Sequence, residues 1–180
     1  KLPYLLVSVL ACLLVLAPAA GAQSSPASGG ATFVPPPPPP SEATIVDGKA
    51  IAPANAPRRV KRVIAAGNRL IGKPYRYGGG HKPFGSGLDT GYDCSGTASY
   101  ALFGGRFLRS PMPSGSFMRW GSAGPGRWIT VYAHAGHMYI VVAGLRLDTG
   151  MRDDPSRTGP AWSKRLRPVD AYVARHPRGY

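Results

Sequence analysis

Cys94 stands in the segment GYDCSGTASYAL, where an acidic residue, the cysteine and two small residues lead into a run able to form a helix. A thiol in the first turn of a helix meets unsatisfied backbone N–H groups and the positive end of the helix dipole. Both favour the thiolate, the form that acts as a nucleophile. Asp93 is placed to cap that helix, although its negative charge partly opposes the same effect. A lone cysteine more commonly ends as a structural core residue. Thiol catalysis further requires a base near the sulfur and a group that holds the base in one tautomer.

His137 opens the strongest strand-like run, HMYIVV, so a rigid element presents its ring at a sheet edge. Asp148 lies across a tight turn at Ala143 and Gly144. Pairing about that turn returns Asp148 beside the start of the preceding strand, where a carboxylate would orient the imidazole and stabilise its cation. Cys94, His137 and Asp148 therefore suit the roles of nucleophile, general acid and base, and orienting group. Each alone has a plainer reading: a strand-edge histidine as surface polarity, an aspartate after a hairpin as a turn residue. His134, three residues earlier, ranks behind His137. His81 sits in a glycine-rich loop with access to substrate, and His176 reads as exposed and idle.

The elements that must position these groups follow from spacing. Residues 57–71 have helical periodicity, with Val60, Val63, Ile64 and Ile71 on one face and Arg59, Lys61, Arg62 and Arg69 outward. Pro57 fits the first turn, and Gly72 and Pro74 end the helix. Residues 73–91 form a long glycine-rich loop, and loops of that length in small domains are often functional. The cysteine helix runs to about Phe103. Residues 104–126 are irregular, with Phe107, Met112, Phe117, Met118 and Trp120 as core filler. Strands are expected over 128–133, 137–142 and 145–149, the last two as a hairpin. The tail, with Trp162 and Tyr172, adds a strand or wraps the sheet. Helices followed by an antiparallel sheet define an α+β domain.

The rest of the 180-residue chain bounds where such chemistry operates. Residues 1–22 read as an export signal, with an apolar run and a small-x-small site at Ala20 to Ala22. Cys12 lies in an alternative lipid-attachment box, which the continuing apolar run disfavours. Cleavage leaves Cys94 without a disulfide partner. Residues 23–56, rich in Ser, Ala, Gly and Pro with a run from Pro35 to Pro40, read as a disordered, semi-rigid spacer. Residues 57–180 are then one small domain. A formal charge of +14 draws the chain toward anionic polymers, whether nucleic acid, acidic lipid or wall polymer. No metal-ligand cluster is evident, and Gly78, Gly79 and Gly80 lack the companions of a nucleotide site, so neither metal nor cofactor is expected.

Three blocks together, GKPYRYGGG ending a helix, YDCSGTASYAL, and HMYIVVAG before a further strand, resemble the NlpC-type family of papain-like cysteine peptidases. The DCSG block after PYRYGG is the specific part. The resemblance implies a papain-like α+β fold, N-terminal helices on a small antiparallel sheet, and a secreted or cell-envelope endopeptidase cutting peptidoglycan stem peptides. It makes Cys94 the nucleophile, His137 the base and Asp148 the third polar residue, where the family more often carries His, Asn or Gln. Tyr75 matches a tyrosine facing the active site, Tyr77 an aromatic packing residue, and Asp93 and Ser95 flank the nucleophile and shape the substrate cleft. Expected partners are stem peptides and anionic wall polymers or lipid head groups, with no nucleic acid, and the protein as a monomer. Arg127, the loop over 80–91 and the spacer over 104–126 depart from the family pattern. Two other readings stay open: a thiol amidase or acyltransferase using the same residues, and a non-catalytic basic wall-binding domain.

Overall fold

The computed structural model describes residues 42–150 and 158–180. The export signal, Cys12 and the part of the spacer up to residue 41 lie outside them. In chain order the elements are β1 (Thr44–Val46), β2 (Lys49–Ile51), α1 (Arg58–Asn68), α2 (Cys94–Gly104), α3 (Ser114–Phe117), β3 (Ser122–Ala123), β4 (Ile129–His134), β5 (His137–Val142), β6 (Leu145–Gly150), β7 (Thr158–Ser163) and β8 (Val173–His176). Strands β3 to β8 form one antiparallel sheet in the order β3-β8-β4-β5-β6-β7. Helix α2 lies against α1 on one side and β5 and β6 on the other. The domain is therefore α+β, as its pattern of elements implies.

Burial follows the two periodicities. On α1, Val60, Val63 and Ile64 are buried, and Ile71 packs on the same core just past the helix end. On the sheet, Val131 and Ala133 of β4, Met138, Ile140 and Val142 of β5, and Leu145 and Leu147 of β6 fill that core. Alternation then sends His137 and Tyr139 to the opposite face. Helix α2 is sandwiched, so its Ser95, Thr97 and Ser99 are as buried as Ala98, Ala101 and Leu102. Phe117 is fully buried, and Phe107, Met112, Met118 and Trp120 pack around the core.

The tail does both things foreseen for it, supplying β7 and β8 as strands and laying Arg167 and Tyr172 on the outer face of the sheet. Two expectations need correction. Residues 42–56 belong to the folded part, not to the spacer. Asp47 and Gly48 both have positive φ and close the β1–β2 hairpin, the turn an Asp-Gly pair favours. Ala43, Ala50 and Ala56 are buried in the core. Arg59, expected on a solvated face, instead donates to the carbonyls of Gly105 and Arg106 at the end of α2 and stacks on Phe107 at 3.8 Å. A cation there complements the negative end of the α2 dipole.

Asn68 ties these parts together. Its Oδ1 accepts from the Ala50 amide and from Trp162 Nε1, each at 2.9 Å, and its Nδ2 donates to the Ala50 carbonyl at 2.8 Å. One side chain thus joins the N-terminal hairpin, α1 and β7. Asn68→Ala leaves all three partners without their bond, and is expected to lower the unfolding free energy by about 2–4 kcal/mol in urea titrations with an unchanged m-value.

Candidate active site

Cys94 is the first residue of α2 and half-buried. Asp93 caps the helix, its Oδ1 accepting from the Gly96 amide at 2.7 Å. The glycine-rich loop is clamped to the same turn: Gly78 N–H donates to Asp93 Oδ2 at 3.0 Å, and Asp93 N–H donates to the Gly79 carbonyl at 3.1 Å. A Cβ on Gly96 would run into that carbonyl, and one on Gly80, at φ +83°, into the Tyr92 ring. Glycine at both places lets the loop backbone lie flat on the start of the helix. The run of three glycines thus has a packing role.

His137 and Asp148 come from adjacent strands of a tight hairpin turned at Ala143 and Gly144, both with positive φ. The register pairs Ile140 with Leu147. One step further sets Asp148 opposite Tyr139, hence on the same face as His137 two residues earlier. His137 Nε2 lies 3.0 Å from Asp148 Oδ1. Asp148 Oδ1 also accepts from the amides of Thr149 (2.7 Å) and Gly150 (3.1 Å), and Oδ2 accepts from Arg167 Nε at 2.7 Å. Arg167 also donates to the Gly150 carbonyl, and Arg146 Nε is 3.6 Å from Asp148 Oδ2.

Electrostatics follow from these contacts. Burial alone would lower His137, but hydrogen bonds and charge from Asp148 and from Cys94 outweigh it and push the imidazole up to about 9. The ring therefore favours its cationic form, with the carboxylate at 3.0 Å and Cys94 adding to the rise. Burial would raise Asp148, yet His137, the Gly150 amide and Arg167 hold its carboxyl below the usual range. Fully buried, this carboxylate is ionised because its whole surroundings donate to it.

The other residues singled out in the sequence are placed as follows. Tyr75, Asp93, Cys94 and Ser95 line one cleft of about 730 Å³, with His81, Arg119 and the β4–β5 turn at Ala135 and Gly136 among its other walls. The Tyr75 phenol is pushed up by burial and then by nearby Cys94 and Asp93. Ser95 is buried, its hydroxyl donating to Asp93 Oδ1 at 3.1 Å. His81 Nε2 lies 3.1 Å from both Asp93 Oδ1 and Ser95 Oγ. Tyr77 does not pack as an aromatic filler; it is 90% exposed on the rim of the cleft. His134 faces His137 across the turn, accepts from Gly136 N–H at 3.0 Å and packs on Tyr172. His176 is neither exposed nor idle: half-buried, its Nδ1 donates to the Gly124 carbonyl at 3.0 Å. Sequence reasoning missed Arg167 and Arg146, the cations beside Asp148. Nothing in the spacing of Arg167, 19 residues beyond Asp148, could have disclosed it.

No protein-family model and no curated protein matches the chain. Among solved structures it is similar to the P60 domain of an antigen from M. avium paratuberculosis, with 21% identity and a TM-score of 0.48 over 66% of this chain and 93% of that one. It is also similar to RipD from Mycobacterium tuberculosis, a non-catalytic NlpC/p60 domain protein adapted to peptidoglycan binding. That match has 23% identity and a TM-score of 0.48 over 67% of this chain and 98% of that one.

Proposed function

We propose that the protein is a thiol hydrolase of the cell envelope, a cysteine endopeptidase that cuts amide bonds in peptidoglycan stem peptides. One observation carries the chemistry: the buried Asp148 carboxylate holds His137 by Nε2 at 3.0 Å, and Cys94 with Asp148 pushes that imidazole up to about 9. The substrate class rests on the resemblance of the GKPYRYGGG, YDCSGTASYAL and HMYIVVAG blocks to NlpC-type peptidases. The extracytoplasmic setting rests on the apolar, signal-like stretch at residues 1–22.

In the proposed reaction the Cys94 sulfur attacks the peptide carbonyl. Backbone amides that open α2, that of Cys94 first, have no carbonyl within the helix to bind and can hold the oxyanion. The His137 imidazolium gives its proton to the leaving amine. The neutral ring then takes a proton from water, which attacks the acyl-enzyme and frees the sulfur. Digestion of purified sacculi, with mass spectrometry of the soluble fragments, tests the proposal and reads out the bond cut. Intact sacculi with no soluble peptide would overturn it.

Asp148→Asn should lower kcat/KM, by less than His137→Ala does. It should also move the alkaline limb of the pH profile below its wild-type position near 9, because a neutral amide no longer stabilises the imidazolium. The same change leaves Arg167 and Arg146 beside a neutral group, so a loss of about 3–5 kcal/mol in stability is expected. The pH profile and urea melts separate the two effects.

A further inference from the structure

The cleft beside Cys94 has an unusual charge arrangement. Among its described lining residues the charged or titratable side chains besides the tyrosines and Cys94 are Asp93, His81 and Arg119. An acid next to the nucleophile would ordinarily draw a substrate ammonium. Asp93 is poorly placed to do so, because its carboxylate already has four donors: Gly78 N–H on Oδ2, and Gly96 N–H, Ser95 Oγ and His81 Nε2 on Oδ1. Each carboxylate oxygen offers about two lone-pair sites, so Oδ1 is filled and Oδ2 keeps one beside the Gly78 N–H. Asp93 is also only 8% exposed.

His81 is the reverse case. Its Nε2 is held by Asp93 and Ser95, while its ring stays 28% exposed in the cleft wall. Asp93 is acceptor-only, so Nε2 carries a proton and the remaining nitrogen, Nδ1, is the one able to meet a ligand. The hydrogen bond to Asp93, opposed by burial and helped by the charges of Asp93 and Asp89, raises His81 above the ordinary histidine value. Arg119 adds a second cation at the exposed rim. The glycines at 78–80 bring His81 here by letting the loop lie on the helix start.

Resting on the peptidase reading above, we infer that His81 is a specificity-determining residue: its imidazolium binds a carboxylate carried by the substrate beside the scissile bond, and its Nε2 competes with substrate amines for Asp93. The cleft then selects acidic peptides and discriminates against their amidated forms, in which the charge-assisted hydrogen bond becomes a neutral one.

The test compares two synthetic stem peptides, one with its D-glutamate carboxylate free and one with that group amidated, binding to the Cys94→Ala protein by calorimetry at pH 6 and low salt. The free acid should bind about tenfold more tightly. Adding His81→Gln, which keeps a neutral donor toward Asp93, should reduce that preference to about twofold or less. Equal binding of the two peptides to Cys94→Ala overturns the assignment, and needs no His81 variant to fold. So does a tenfold preference that survives His81→Gln, which would move the role to Arg119. Cleavage by the unsubstituted protein is scored separately. A protein that prefers the acid yet cuts neither peptide loses the peptidase reading and keeps the role of His81.

Discussion

Cys94→Ala is expected to stop release of soluble stem-peptide fragments from purified sacculi, with the rate falling by about 10⁴-fold or more, while the protein still sediments with the sacculi. The sulfur alone forms the covalent bond in the proposed cycle, so nothing else in the cleft replaces it. The fold should persist, because the α2 cap runs through Asp93, Gly96 and the glycine loop and not through the thiol. Sedimentation should persist because Tyr75, His81 and Arg119 remain in the cleft wall and the net charge hardly changes. Fragment release by liquid chromatography and binding by pelleting are the two readouts. Undiminished cleavage by the alanine variant would sink the thiol mechanism outright.

His137→Ala should cost about 10³-fold or more in kcat/KM, and the double variant with Cys94→Ala should be no worse than Cys94→Ala alone, because the two groups act as one unit. The imidazole is hydrogen-bonded to Asp148, and Cys94 contributes to its raised pKa. Its loss leaves Asp148 paired with Arg167 and the Thr149 and Gly150 amides, so the variant should fold. The wild-type pH profile carries the same assignment. The leaving amine needs the proton of the imidazolium, so activity should fall as pH rises through about 9. Stability has the matching sign. The raised His137 contributes fully below the unfolded histidine value and is lost as pH rises through about 9. The lowered Asp148 contributes above the unfolded carboxylate value and is lost as pH falls through its folded one. Activity that stays flat to pH 10 would separate His137 from the proton transfer.

Local pattern was enough for several parts of this arrangement. Asp93 before a run of small residues marks a capped helix, and Cys94 stands at its start. The alternation in HMYIVV and the Ala-Gly turn after it set a hairpin whose parity puts His137 and Asp148 on one face. Other parts were misread because composition masked the signal. The Pro-rich stretch made residues 42–56 look like its continuation, although Asp47-Gly48 between short apolar runs is itself a hairpin signature. His176, in a polar C-terminal stretch, looked idle until β8 was seen between β3 and β4.

By itself the sequence determined the periodic elements, the residue types fit for thiol chemistry and the excess of positive charge. These depend on interactions among near neighbours, which short-range spacing encodes. Only the tertiary structure decided that Arg167 returns to the buried Asp148, that Asn68 binds the N-terminal hairpin to β7, and that His81 pairs with Asp93. Each of those contacts joins segments whose separation along the chain carries no periodic mark. They form because a buried carboxylate or amide must find its partners wherever the folded backbone supplies them.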